Sequence, residues 1–161
     1  MPKEMIIIGA GFIGLEFAGI YSAFGSEVTV INTSNKILIR EDDEDVKEII
    51  NLLEKRNVKF INNTDIREVK EVDDSVILSY NQNNEEREIT YDIILVATGR
   101  KANTQGLNLE NAGIELNSRG FIKVDETLKT NKTNIWAIGD INGGPQFTYI
   151  SLDDYRIIIN N

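Results

Sequence analysis

The sequence contains no cysteine and no histidine. The first absence excludes disulfides, thiolate metal sites and thiol redox chemistry within this chain. The second removes the commonest acid–base side chain and the commonest zinc ligand. Positive charge is also short: 17 Lys and Arg face 26 Asp and Glu, a formal net charge of −9. That balance argues against nucleic acid or an anionic membrane surface as the main partner, since both require a basic face. No apolar run approaches the roughly 20 residues of a membrane span. The opening "MPKEM" lacks the apolar core of a signal peptide. A soluble cytoplasmic protein is the expectation. The 161 residues, 41 % of them hydrophobic, allow one ordinary domain, or one and a fraction, with a real core.

What is present is concentrated at the start. "MIIIGAGFIGLEFAG", Met5 to Gly19, places four glycines in eleven residues directly after an unbroken apolar run. Met5 to Ile8 is apolar and β-branched, the pattern of a parallel strand buried on both faces. From Phe12 to Phe24 the period becomes helical, with Ile13, Phe17, Ile20 and Phe24 as the apolar stripe, and Gly25 ends the helix. "EVTVI", Glu27 to Ile31, is a second strand. The first thirty residues thus spell a βαβ unit.

Asn32 to Arg40 reads as a polar loop. In "EDDEDVKEIINLLEKRN" acids crowd the first turn of a helix, Lys55 and Arg56 its last, and Val46, Ile49, Ile50 and Leu53 form its apolar stripe. The acidic run is a solvated helix start rather than a metal site. "VKFIN" is a third parallel strand. "DIREVKEV", "SVILSYN" and "REITYD" alternate and are separated by Asp73-Asp74 and Asn83-Asn84, the signature of an antiparallel meander. "DIILVATG", Asp92 to Gly99, returns the chain to the parallel sheet. Beyond Lys101 the texture turns polar and glycine-rich. There "GFIKVD" and "TNIWAIGD" read as strands, and a helix follows Pro145.

Gly9-Ala10-Gly11-Phe12-Ile13-Gly14 is G-x-G-x-x-G between a buried strand and a helix, the context in which the spacing indicates dinucleotide binding. Gly9 permits the tight turn, Gly11 lets a pyrophosphate approach the backbone, and Gly14 lets the helix lie close to the strand. The helix N-terminus favours the phosphates. An acid gripping the adenosine ribose is expected about 20 residues on. Asn32 stands there instead, either as a ribose contact or as a loop cap. Lys36 and Arg40 are near enough in sequence to meet a 2′-phosphate, whereas Gly14 leans towards NAD, so NADP stays open beside NAD.

"IIIGAGFIGLEFAGIYSAFGSEVTVI", "ILVATGRKANTQGLNLENAGIEL" and "GFIKVDETLKTNKTNIWAIGDINGGPQFTYISLDDYRII" together resemble the flavin-dependent pyridine nucleotide–disulfide oxidoreductases, which include lipoamide dehydrogenase, glutathione reductase and mercuric reductase. The tail "QFTYISLDDYRI" is most similar to the mercuric-reductase-like branch that contains the reactive-chlorine-resistance flavoenzymes. The resemblance implies an α/β fold: a Rossmann-like parallel sheet with an antiparallel meander as the NAD(P)-binding domain, residues 1–103, then an incomplete FAD-domain segment, residues 104–161. It implies that Asp140 of "AIGD" holds the flavin ribityl chain and that Glu16 lies near the nicotinamide. It also implies that Thr98, Gly99 and Arg100 pass beside the cofactors. Phe12 and Ile13 complete the phosphate turn.

The family's FAD-binding glycine motif, paired redox cysteines and catalytic histidine have no counterpart in this sequence. The expectation is therefore the middle part of a homodimeric enzyme that passes hydride from NAD(P)H to FAD and on to a disulfide or metal-type acceptor. This part alone is expected to bind dinucleotide without turnover, to leave Phe121, Ile135, Trp136, Ile138 and Phe147 short of cover, and so either to self-associate or to hold its C-terminal third loosely. The alternative is a stand-alone dinucleotide-binding or sensory module.

Overall fold

A computed structural model describes residues 1–160. The chain divides into two compact units, Met1–Gly99 and Arg100 onward.

In the first unit the order is β1 (Glu4–Ile8), α1 (Phe12–Ala23), β2 (Glu27–Ile31), α2 (Asp43–Glu54), β3 (Lys59–Ile61), β4 (Thr64–Val72), β5 (Ser75–Gln82), β6 (Glu85–Tyr91) and β7 (Ile93–Val96). Four strands form a parallel sheet in the order β3-β2-β1-β7, and β4-β5-β6 form an antiparallel sheet. The continuous apolar runs are explained by what covers them. Met5 and Ile7 of β1, with Val28 and Val30 of β2, share a core with Leu15, Ala18, Val46 and Leu53 of the helices. Ile6, Ile8 and Ile31 point the other way, into a second core with Leu78 and Tyr80 of the meander. Each such buried aliphatic side chain contributes about 1.5–3 kcal/mol, so both faces of β1 must be apolar. Thr29 is a buried polar residue of that register, and its hydroxyl lies 2.6 Å from the Tyr91 hydroxyl.

The entry to β1 is fixed from β7's side. The Asp92 carboxylate accepts from the Lys3 and Glu4 amides at 2.7 and 3.1 Å. These two amides, Glu4's foremost, hold the Asp92 carboxyl below the usual carboxylate range. The meander turns use Asp73, Asn83 and Asn84 at positive φ, which short polar side chains tolerate.

Three expectations for this unit are corrected. The stripe Ile13, Phe17, Ile20 and Phe24 does not face the core: these residues are 39, 38, 49 and 68 % exposed. The buried face of α1 is Gly14, Leu15 and Ala18: Gly14 and Ala18 are small enough for the helix to lie close to the strand behind it, and Leu15 fills the core beside them. The helix does end as expected, with Gly25 at φ +93°. The last turn of α2 carries no basic residue, since the helix closes at Glu54 and Lys55 is its C-cap. Its start does match the sequence reading: Asp42 accepts from the Glu44 amide at 3.0 Å, with Asp43, Glu44 and Asp45 in the first turn. Finally, the Asn32–Arg40 loop is not wholly polar, for Ile37 and Leu38 are buried in the helix-side core.

In the second unit, Leu116 meets Ile122 and Lys129 meets Trp136 only as isolated bridges. "GFIKVD" and "TNIWAIGD" are therefore not strands. A strand is a property of pairing, and each segment finds one bridge rather than a ladder. The helix expected after Pro145 is α3 (Thr148–Ile159). Phe121, expected to lack cover, is buried. Ile135, Trp136 and Ile138 are 36, 36 and 37 % exposed, and Phe147 is half-buried.

Candidate dinucleotide and flavin sites

The carboxyl ends of β1, β2 and β7 converge on the glycine turn. Gly9 donates to the Ile31 carbonyl at 2.8 Å and Ala97 donates to Ile8 at 2.8 Å. Gly9 has φ +109°, and a Cβ there would strike the Ala97 carbonyl oxygen and stand 3.3 Å from the Thr98 nitrogen. No residue but glycine fits against that neighbouring strand. A Cβ on Gly14 would run into the Gly9 carbonyl oxygen and lie 3.4 Å from Ile7 Cγ2. Gly11 differs: it has ordinary φ −87° and a Cβ would meet no atom within 4 Å. Nothing in the protein's own packing requires glycine at position 11.

Gly11 is also the N-cap of α1, in extended backbone, and no side chain caps the helix. The amides of that end are the positive pole of the helix and seek acceptors from outside it. An open face over a glycine, at an uncapped helix start, at the carboxyl ends of parallel strands, fits a diphosphate. Phe12 and Ile13 are exposed on the first turn.

Glu16, one turn further, is exposed. With Phe12, Leu15, Leu38, Leu52 and Arg56 it lines a cleft of about 290 Å³ between α1 and α2. Ala97, Thr98 and Gly99 follow β7, and Gly99 takes φ +116°, so the chain leaves the sheet beside the glycine turn through a conformation suited to glycine.

Asn32 closes the end of β2, where it is buried. Its side-chain nitrogen donates to the Ser34 and Lys36 carbonyls at 3.0 and 3.1 Å, and its backbone carbonyl accepts from the Thr64 hydroxyl at 3.0 Å. The amide is thus engaged in shaping its own loop. The loop is fastened at a second point, where Leu38 at φ +47° donates to the Ala10 carbonyl at 3.1 Å. Bulky residues seldom adopt that backbone region, and here it turns the Leu38 side chain into the core. Lys36, held between these two points, extends its ammonium to Asp43 at 2.6 Å.

The second unit contains the other group of predicted residues. The Arg100 guanidinium donates to the Asp140 carboxylate at 2.9 Å and to the Gln146 carbonyl at 3.4 Å. Asp140 sits in a short 3₁₀ turn, Gly139–Asn142. That turn is held by a residue the sequence reading missed. Asp154 of α3 is buried, and its carboxylate accepts from the Gly139 amide at 2.8 Å and from the Asn142 side chain at 3.2 Å. No motif spacing marks Asp154; the available signal was the acidic pair Asp153-Asp154 on the helix that follows "AIGD". Gly143, at φ +79°, closes the turn against the Phe121 ring.

A glycine turn at parallel strand ends, opening an uncapped helix and backed by an antiparallel meander, places the chain in the α/β class. The sequence profile of the pyridine nucleotide-disulphide oxidoreductases matches residues 1–154, and the chain belongs to that family. It is 41 % identical over 158 residues to the probable pyridine nucleotide-disulfide oxidoreductase RclA of Escherichia coli, covering 98 % of this chain and 35 % of that protein. It is 37 % identical over 151 residues to dihydrolipoyl dehydrogenase of Chlamydia trachomatis, covering 94 % of this chain and 32 % of the relative. The solved HOCl-induced flavoprotein disulfide reductase RclA of E. coli superposes with a TM-score of 0.87 at 40 % identity, over 99 % of this chain and 36 % of the other. The chain thus spans about a third of the length of these relatives. Among the described residues no helix is long and apolar enough to cross a membrane.

Proposed function

We propose that the chain is the NAD(P)-binding part of a flavin-dependent oxidoreductase, residues 1–103, followed by an incomplete segment of its FAD domain, residues 104–161. A division of the chain into two compact units between Gly99 and Arg100, four residues before the proposed boundary, supports a two-part reading. The observation that carries the reading is Gly11, which has open space where a side chain would be and lies at an uncapped helix start. Gly9, Gly11, Phe12, Ile13 and Gly14 form the phosphate turn. Asn32 and Lys36 bound the adenosine ribose, Glu16 lies towards the nicotinamide, and Thr98, Gly99 and Arg100 flank the cofactors. Asp140 would hold the ribityl chain of FAD, and the fixed turn beneath it supports that role. When bound, the nicotinamide supplies a hydride and the flavin accepts it. The chain's own residues bind and orient.

Without cysteine or histidine, the chain lacks the side chains for thiol or imidazole chemistry. In this reading it binds NAD(H) and does not turn over, while the whole enzyme is a homodimer that reduces a disulfide or metal-type acceptor. Calorimetric titration with NADH, alongside an NADH-oxidation assay with added FAD, tests both parts. Saturable binding without turnover is the expected pair of results. Absence of binding, or oxidation at enzyme-like rates, contradicts it.

A further inference from the structure

The Lys36–Asp43 pair lies at the end of the site that distinguishes NAD from NADP. The two cofactors differ only by the phosphate on the adenosine 2′-oxygen, which sits at the carboxyl end of the second strand of such folds. Lys36 is placed there by two hydrogen bonds, Asn32 to the Lys36 carbonyl at 3.1 Å and Leu38 to the Ala10 carbonyl at 3.1 Å. A cation at this position would ordinarily receive the phosphate. Here its ammonium already has an acid at 2.6 Å. The same stretch, residues 36–45, carries seven charged side chains: Lys36 and Arg40 against Glu41, Asp42, Asp43, Glu44 and Asp45. Arg40 is exposed, yet the stretch as a whole carries a formal charge of −3, so a dianionic phosphate would meet a net charge of its own sign.

Resting on the dinucleotide reading above, we infer that Asp43, by holding Lys36 within this acidic turn, makes the chain discriminate against the 2′-phosphate and select NAD(H). Asp43 is suited to a clean test. It is not the helix cap, which is Asp42, and its side chain is 85 % exposed, so its removal leaves the core untouched.

The test is calorimetric titration of the full chain with NADH and with NADPH, in the native protein, in Asp43→Asn and in the double variant Asp43→Asn, Lys36→Ala. The native chain should bind NADH about tenfold more tightly than NADPH, the effect of one like-charge juxtaposition at a solvated surface. Asp43→Asn should narrow that ratio about threefold to fivefold, the scale of an exposed ion pair. The double variant should restore it. A second readout needs no variant. Added salt screens repulsion, so raising ionic strength should improve NADPH binding relative to NADH, the reverse of a site built from cations. Equal binding of the two nucleotides, a preference for NADPH, or a ratio that Asp43→Asn leaves unchanged overturns the inference while the dinucleotide reading survives. Failure of both nucleotides to bind overturns that reading itself, and the inference with it.

Discussion

The carbonyl oxygen of Gly9 occupies the place where a Cβ on residue 14 would stand. Glycine is therefore required at position 14 by the Gly9 carbonyl and at position 9 by the Ala97 carbonyl, while Gly11 between them meets no such neighbour. Gly14→Ala should force α1 away from β1 and destabilise the first unit by about 1–3 kcal/mol, as overpacking does. Gly11→Ala should change stability by less than about 1 kcal/mol, the difference between glycine and alanine at an N-cap, yet weaken NADH binding tenfold or more. Chemical denaturation and calorimetry on the two variants separate the effects. Equal loss of stability in both would remove the distinction.

The second unit offers a parallel contrast between two aspartates. Asp140 pairs with Arg100 with its side chain about half exposed, and such pairs contribute about 0–1 kcal/mol. Asp154 is buried and accepts from two donors. Asp154→Ala should leave those donors unsatisfied and cost about 1–3 kcal/mol, whereas Asp140→Asn should cost little. Denaturation followed through Trp136 fluorescence reads both. A larger effect at Asp140 would contradict the assigned roles.

How far these sites were legible in the sequence follows from the kind of signal each leaves. The unbroken run Met5–Ile8 announced a strand covered on both sides, and the two cores confirm it. The three glycines were legible because their spacing is a motif. The inward face of α1 was not. Its period allows two stripes, and the one that turns inward is the one carrying Gly14 and Ala18, which allow close approach. The β2–α2 loop looked polar because Ile37 and Leu38 are brought into the core by a backbone conformation at Leu38 that composition does not reveal. "GFIKVD" alternates like a strand, but alternation cannot say whether a partner exists. Asp154 acts through space across a turn, with no fixed spacing to mark it.

Acid should loosen the chain at identifiable points. In the folded state the Asp92 carboxyl is held low by the Glu4 and Lys3 amides. The Asp125 carboxyl is held low by the Thr127 hydroxyl foremost, then by the Lys129 and Thr127 amides. A depressed folded value contributes stability that is complete above the unfolded value, about 3.9, and is lost as pH falls through the folded one. Amide exchange at Lys3 and Glu4, and separately at Thr127 and Lys129, should therefore accelerate as pH drops below about 4, after correction for intrinsic rates. Asp92→Asn should abolish the pH-dependent step at Lys3 and Glu4 only. No difference between this variant and the native chain would contradict the assignment.

The outward stripe of α1 predicts association. Ile13, Phe17 and Ile20 of α1 and Phe24 at its C-cap expose 39, 38, 49 and 68 % of their surface, large apolar side chains at helical spacing of the sort that seek cover. Light scattering should show concentration-dependent self-association of the native chain, reduced in the double variant Ile20→Lys, Phe24→Lys. A native chain that stays monomeric throughout would refute this.

The central claim is that the main chain from Gly9 to Gly14 receives the diphosphate of a nicotinamide dinucleotide. Its most direct test is to follow the amide resonances of those six positions while NADH, and separately NADPH, is added to the folded chain. The account predicts saturable shifts centred on Gly11 and the first turn of α1, larger with NADH. Undisturbed signals from Gly9 through Gly14 with both nucleotides at millimolar concentration would contradict it.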